Sequence, residues 1–206
     1  MIDFYTWSTP NGRKISIMLE ELELDYTLHP ININQDEQHH PNFLKISPNN
    51  KIPAIIDHKG PNGSPISIFE SGAILIYLAD KTNSALLPFN PYLRIKVMEW
   101  LMFQMANLGP MLGQAHHFLF EPRQVVPYAQ KRYHEETERL YDVLNDRLGQ
   151  SQHIALDTYS IADIAAYPWI NRHLRHQIDL KDFPNVERWH KTLSARSAII
   201  KGMAVP

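Results

Sequence analysis

The chain has 206 residues, 44% hydrophobic and 20% charged, with a formal net charge of -2 at pH 7. That length buries one large core or two small ones, and the charge leaves no electrostatic footprint for nucleic acid. No apolar run reaches the length of a membrane span, Met1-Ile2-Asp3-Phe4-Tyr5 lacks the basic and apolar regions of a secretory leader, and no cysteine is present, which excludes disulfides and thiolate metal sites and leaves the cytoplasm as the expected location.

Ile2 to Tyr5 reads as a short strand. Thr9-Pro10 then opens a helix, with Thr9 as N-cap and Pro10 at the first helical position, where its missing N–H costs nothing. Ile15, Met18, Leu19 and Leu22 follow at helical spacing and form one apolar stripe. Tyr26 to Ile33 alternates as a half-buried strand. Pro41 to Ile46 is a short helix or turn, stopped by Ser47-Pro48-Asn49-Asn50. Ala54 to Asp57 and Ile66 to Phe69 are strands joined across Lys59-Gly60-Pro61-Asn62-Gly63-Ser64, a hairpin composition. A helix from about Glu70 to Lys81 completes a β-α-β-α-β-β-α unit, an α/β domain with a mixed four-stranded sheet over residues 1–82. Residues 83–89 read as a linker.

Residues 90–206 are helical in pattern, an all-α domain. Tyr92 to Leu119 is a long apolar segment with a kink or break expected at Gly109-Pro110. Tyr128 to Leu148 is charged and amphipathic, and Ile161 to Leu174 and Val186 to Leu193 are further helices. Ser160-Ile161-Ala162-Asp163 is a capping box, with Tyr159 placed to staple against Ile164. Its role is folding, not chemistry.

Three segments carry candidate chemistry, each with a plainer alternative. Ile52-Pro53 is either a trans proline starting a strand, the commoner case, or a cis bond leaving the Ile52 backbone at a sheet edge for an extended peptide. Glu70-Ser71 is either a simple helix start or a place where a ligand carboxylate meets free N–H groups while Glu70 pairs with an ammonium. Thr9-Pro10-Asn11-Gly12 is either a capped helix entrance or a hydroxyl and an amide at a positive helix end, which favours a thiolate. Tyr5 is a rival thiol partner or a core residue. The eleven histidines include the adjacent pairs His39-His40 and His116-His117, but adjacent side chains diverge, HExxH spacing is absent, and no metal is expected. Neither the GxSxG elbow of hydrolases nor a phosphate or dinucleotide glycine loop occurs.

Taken together, Asn50-Lys51-Ile52-Pro53-Ala54, Phe69-Glu70-Ser71-Gly72-Ala73-Ile74 and Tyr159-Ser160-Ile161-Ala162-Asp163 resemble the glutathione transferase superfamily. Thr9-Pro10-Asn11-Gly12, Ser47-Pro48-Asn49-Asn50-Lys51, Gly109-Pro110-Met111-Leu112-Gly113-Gln114 with His116-His117-Phe118, and Arg132-Tyr133 ahead of Glu138-Arg139-Leu140-Tyr141 narrow the resemblance to its Nu-class, bacterial disulfide-bond oxidoreductase branch. The resemblance spans essentially the whole chain and implies a thioredoxin-like N-terminal domain.

It further implies glutathione as co-substrate, reduced or oxidised, without a metal. Thr9 and Asn11 would lie near the glutathione sulfur as the catalytic pair. Gln38 would approach the glycyl end, Lys51, Ile52 and a cis Pro53 would flank the backbone pairing, and Glu70 and Ser71 would hold the γ-glutamyl group. Arg132 would reach the glutathione of the other subunit in a homodimer. His39 and His40 receive no role. The implied activity is reduction of a small disulfide, with glutathione itself as the thiol and an organic hydroperoxide as an alternative electrophile. A conventional transferase conjugating electrophiles and a non-catalytic glutathione-binding regulator are the alternatives, and neither nucleic acid nor membrane is an expected partner.

Overall fold

The computed structural model describes residues 1–120 and 122–205. Two compact units emerge: one holds Met1–Ser84 together with the chain from Arg196 onward, the other Ala85–Ala195.

In the first unit, β1 (Ile2–Thr6), α1 (Pro10–Glu21), β2 (Tyr26–Pro30), α2 (Pro41–Leu44), β3 (Ala54–Asp57), β4 (Ile66–Phe69) and α3 (Ser71–Lys81) follow in order. The sheet runs β2-β1-β3-β4, with β1 and β2 parallel and the other pairs antiparallel. This is the mixed four-stranded sheet expected from the pattern of hairpin and crossover. The apolar stripe of α1 is buried through Ile15, Met18 and Leu19, and α3 buries Ile74, Leu75 and Leu78, the inward face that period-3.6 spacing creates.

Strand β2 stops at Pro30, short of the expected Ile33. Proline has no N–H for the ladder, and beyond it Ile31 donates instead to the Thr6 carbonyl at 2.8 Å. Asn32 then caps a single 3-10 turn over Ile33–Gln35, its side chain accepting from the Asn34 N–H, and Asp36 turns the chain in the left-handed region at φ 59°.

The second unit holds α4 (Pro91–Phe103), α5 (Gly109–Leu119), α6 (Pro127–Gln150), α7 (Ile161–Ile170) and α8 (Pro184–Ser194). The expected break at Gly109-Pro110 is a π-helical turn over Gln104–Leu108 that carries the chain from α4 into α5 without a loop. Pro110 cannot donate to the residue four before it, and a wider turn absorbs the loss. Helix α7 ends at Ile170 rather than continuing to Leu174, giving way to a 3-10 turn over His173–His176. All ten of its residues are buried, Pro168 included.

The capping box is formed. Ser160 Oγ accepts from the Ala162 N–H at 3.3 Å and the Asp163 carboxylate accepts from the Ser160 N–H at 3.0 Å. Asp163 has a larger office than a cap. It also accepts from the Ile154 N–H at 3.0 Å, Ser160 Oγ at 3.0 Å and Trp189 Nε1 at 2.8 Å. One fully buried carboxylate thus ties the loop before α7 to α8. The Tyr159 ring lies edge-on to His153, centroids 5.8 Å apart.

The chain's last helix, α9 (Ser197–Ala204), corrects the expectation that everything from residue 90 to 206 forms one helical domain, because it packs on α1 in the first unit. Gly202 meets the Ile17 backbone so closely that an added Cβ would stand 2.5 Å from Ile17 Cα. Ser16 Oγ donates to the Gly202 carbonyl at 2.6 Å, and Arg196 forms a two-bond pair with Glu21 at 3.0 and 2.8 Å.

Candidate functional site

Strand register decides what converges. Tyr5 stands opposite Ala54, and Ala54 opposite Phe69, while Thr6 pairs with Pro30 on the parallel side. The segment leaving β1 toward Thr9, the segment entering β3 through Ile52-Pro53, the segment leaving β4 into Glu70-Ser71, and the chain leaving β2 toward Gln38 therefore all meet one end of the sheet. Sequence-distant candidates come together there because the topology alternates strand direction.

Thr9 is the N-cap of α1, extended at φ -128°, ψ 158°, and its hydroxyl oxygen accepts from the Gly12 N–H at 3.2 Å. A capping hydroxyl accepts through a lone pair and keeps its proton to donate, so Thr9 offers an O–H beside the positive end of a 12-residue helix. Asn11 is half-buried in the first turn.

The Ile52-Pro53 bond is cis, the second of the two readings open from sequence. Ile52 is half-buried, Pro53 buried, and both precede the first laddered residue of β3, Ala54. Lys51 has an exposed side chain, and its carbonyl accepts from the buried Ser47 hydroxyl at 2.8 Å. Ser47 thereby fixes the entry into the cis bond.

Glu70 occupies the N-cap position of α3 without a side-chain capping bond, at an unusual φ 70°, ψ 113°. A non-glycine residue held there costs roughly 1–3 kcal/mol and persists only where its surroundings dictate it, a condition that clusters at ligand sites. The side chain is exposed and available to a cationic partner. Ser71, the first residue of α3, is 4% exposed and accepts a hydrogen bond from Lys14 Nζ at 3.2 Å.

Lys14 is the residue that motif reading missed. It is 1% exposed, and burial pushes its pKa down to about 7, opposed by the charge of Glu70. One signal for it exists in the sequence: Lys14 lies four residues before Met18 and next to Ile15, on the apolar stripe of α1, where a cation needs a reason to be.

Gln38 is half-buried, and its side-chain carbonyl oxygen is buried without a hydrogen-bond partner, while Nε2 reaches Asp36 Oδ1 at a long 3.4 Å. A buried amide acceptor left unpaired is costly and suits a site that expects a donor. Nearby, a cavity of about 660 Å³ is lined by Tyr5, Ile31, Gln35, His40, Phe43 and Ile46 among others. The Tyr5 ring stacks on His29 with centroids 4.6 Å apart, and burial, with the Asp3 charge, raises its pKa, so it stays a phenol.

Arg132 belongs to the helical unit. It is exposed on α6, where its charge helps, after Arg139, to hold the Glu136 carboxyl below its ordinary range. It lines an open groove of about 620 Å³ with Met111, Tyr128, Tyr133, Glu136 and Arg139. Of the paired histidines, His116 sits edge-on to Phe120 and to His176, centroids 5.3 and 6.4 Å away. Among the described residues no group of three or more histidine and carboxylate side chains is placed to hold a metal ion, and no helix is long and apolar enough to cross a membrane.

Comparison with known proteins places this arrangement. Residues 2–80 match the family model for the glutathione S-transferase N-terminal domain, and residues 108–197 that for the C-terminal domain. The chain is 51% identical over 199 residues to the disulfide-bond oxidoreductase YfcG of Escherichia coli K12, covering 96% of this chain and 92% of that protein. Among solved structures, a glutathione transferase family member from Pseudomonas fluorescens with two glutathione bound superimposes with a TM-score of 0.94 at 42% identity, over 100% of this chain and 93% of that one. A glutathione transferase from Pseudomonas putida with one glutathione disulfide bound per subunit gives a TM-score of 0.93 at 42% identity, over 100% and 91%.

Proposed function

The chain belongs to the glutathione S-transferase family of enzymes, and from that membership we propose that it is a glutathione-dependent disulfide-bond reductase in which bound glutathione, not a protein cysteine, is the thiol. The observation that carries the reading is a thiol-favouring helix end in a chain with no cysteine. The names and bound ligands of the related proteins support it.

The residues suit the ligand. The γ-glutamyl carboxylate would sit on Ser71 and the N–H groups that open α3, its ammonium on Glu70, and the peptide backbone beside Ile52, cis Pro53 and Lys51. Gln38, with its unpaired carbonyl oxygen, would take an N–H near the glycyl end. Thr9 would donate its hydroxyl to the sulfur, and Asn11 would flank it.

Reduction then proceeds by thiol–disulfide exchange. The sulfur of one glutathione thiolate attacks a substrate disulfide sulfur, the substrate S–S bond breaks, and the departing thiolate takes a proton. A second glutathione thiolate attacks the glutathione sulfur of the mixed disulfide. It releases the second substrate thiol and leaves glutathione disulfide, so the two electrons come from the two glutathiones. The chain's part is to lower a thiol pKa at the α1 N-terminus and to orient the sulfurs. A hydroperoxide can stand in for the disulfide as electrophile. A reducing compartment such as the cytoplasm supplies both thiols.

We place Arg132 against the glutathione of a second copy in a homodimer. Helix α4 leaves Tyr92, Leu93, Ile95 and Met102 exposed, an apolar surface a second copy can cover. Arg132→Ala should weaken glutathione binding while leaving the melting temperature unchanged. Wild-type affinity in that variant removes the assignment.

The deciding experiment compares, with purified protein, glutathione-dependent reduction of 2-hydroxyethyl disulfide with conjugation of a chlorodinitrobenzene. Fast reduction with feeble conjugation is expected. The reverse ratio makes the protein a conjugating transferase, and neither activity makes it a binding protein.

A further inference from the structure

An asparagine followed by glycine loses its side-chain amide readily, because glycine carries no side chain to shield its own backbone nitrogen as a nucleophile. The sequence holds two such pairs in the same setting, Pro10-Asn11-Gly12 and Pro61-Asn62-Gly63, and the fold treats them oppositely. Asn62 lies at the tip of the β3–β4 hairpin, in a 3-10 turn over Pro61–Gly63, with residues 61–65 all exposed. Both members of this pair are left-handed, Asn62 at φ 58° and Gly63 at φ 76°, and a Cβ built on Gly63 would meet nothing within 4 Å. The Gly63 N–H donates to the Gly60 carbonyl at 3.1 Å and the Ser64 N–H to the Pro61 carbonyl at 3.3 Å. One exposed turn at a loop tip opens at little cost and leaves the strands behind it paired. Asn11 is held differently. It stands in the first turn of α1, and Gly12 is buried with its N–H bonded to Thr9 Oγ at 3.2 Å. A Cβ added to Gly12 would strike Thr6 Oγ and stand 2.7 Å from the Trp7 carbonyl oxygen, so the backbone there cannot rotate without unpacking the helix start.

We propose that Asn62 is a site of covalent modification by water, converted through a cyclic imide to aspartate and isoaspartate, while the fold protects Asn11 from the same reaction. The Gly63 backbone nitrogen gives up its proton and attacks the Asn62 side-chain carbonyl carbon. A C–N bond forms, the bond from that carbon to Nδ2 breaks, and ammonia leaves with the proton. Water then opens the ring. Attack at the side-chain carbonyl gives aspartate, and attack at the backbone carbonyl gives isoaspartate, with no change of oxidation state in either. A neutral amide becomes a carboxylate, so the chain gains one negative charge. Asp57 pairs with Ile66 at the tip end of the hairpin and Ala54 with Phe69 at its other end. The new charge therefore arises at the opposite end of the sheet from Ile52-Pro53 and Glu70-Ser71, whatever ligand those segments hold.

The test incubates the purified protein in warm, mildly alkaline buffer and follows both pairs by peptide mass spectrometry. Isoaspartate is counted with an isoaspartate-specific carboxyl methyltransferase. Asn62 should convert at least about tenfold faster than Asn11 in the folded protein, with a more acidic band growing on isoelectric focusing. Unfolded in guanidinium, the two pairs should convert at similar rates, because both are Pro-Asn-Gly and only the fold separates them. Asn62→Gly, which adopts the left-handed backbone without strain, should remove most of the acidic band. An Asn62 that stays intact in the folded protein while converting in guanidinium overturns the proposal. So does an Asn11 that keeps pace with Asn62 before unfolding.

Discussion

The carboxylate of Asp163 gives the sharpest quantitative test of the helical unit. Asp163→Ala removes the acceptor of four hydrogen bonds at 2.8 to 3.0 Å and leaves the Ile154 N–H, the Ser160 N–H and the Trp189 indole N–H buried without it. The Ser160 hydroxyl can rotate, so three donors carry the penalty. At about 1–3 kcal/mol for each buried donor left unpaired, the lower bound is about 3 kcal/mol and a central value about 6 kcal/mol. That is a large fraction of the 5–15 kcal/mol typical of a whole domain. Ser160→Ala removes a single cap and should cost about 1 kcal/mol. Asp163→Asn keeps one carbonyl oxygen and falls between them. The double variant Ser160→Ala, Asp163→Ala should cost less than the sum of the two single changes, because the bond from Ser160 Oγ to Asp163 is lost in either, while the cap bond from the Ala162 N–H is lost only with the serine. Urea unfolding at pH 7 followed by tryptophan fluorescence reads this unit, since Trp100, Trp169 and Trp189 lie in it and Trp7 alone lies outside. An Asp163→Ala protein within 1 kcal/mol of wild type, or a larger loss for Ser160→Ala, would refute the hub.

Three other expectations follow from buried groups and close contacts. His176 is fully buried with neither ring nitrogen hydrogen-bonded, and burial, then the charges of His116, Arg172, His173 and Arg175, push its pKa down to about 3. Between pH 6.5 and 3 the unfolded chain binds the proton and the folded one does not, so stability falls as pH drops through that window, by roughly 3 kcal/mol at pH 4.5. His176→Met should flatten the pH dependence of the urea midpoint between pH 7 and 4.5, and parallel curves for the two proteins would contradict it. Gly202→Ala should separate α9 from α1, since the new Cβ would meet Ile17 N at 2.6 Å. Limited proteolysis should then cut after Arg196, and an unchanged digestion pattern would argue against the close approach. Thr9→Ala should lower disulfide-reductase turnover more than it lowers glutathione affinity, with about 1 kcal/mol of lost stability, whereas Thr9→Ser retains all three. Equal losses of turnover and affinity would reduce Thr9 to a binding residue.

Local chemistry made the first unit readable. A proline after a capping threonine, a Gly-Pro-Asn-Gly hairpin and alternating apolar strands each state their geometry within a few residues, and the element order β-α-β-α-β-β-α follows from them. The Ser160–Asp163 box was legible for the same reason, since both partners sit in one turn. Its reach was not. Ile154 and Trp189 bond to the same carboxylate from 9 and 26 residues away, and nothing in their own neighbourhoods announces it. The fate of α9 is a similar case. Its N-cap, Arg196, makes no side-chain cap bond, so no start signal marks the helix, and its attachment depends on a glycine meeting a backbone 185 residues earlier.

The candidate site divides along the same line. Thr9, Ile52-Pro53 and Glu70-Ser71 stand out because each breaks a local rule: a polar helix entrance, a proline at a strand mouth, an acid before a serine. Lys14 breaks one too, a cation on an apolar stripe, but sequence alone cannot say what waits across the interface. The β1–β3–β4 register settles that by bringing the start of α3 over α1, where Ser71 Oγ meets the ammonium at 3.2 Å. A helix start that looked self-sufficient is thus held from beneath by a group whose charge depends on pH near neutrality. The segments that name themselves in sequence gather at one end of the sheet, and the buried cation beneath Ser71 is visible only after folding.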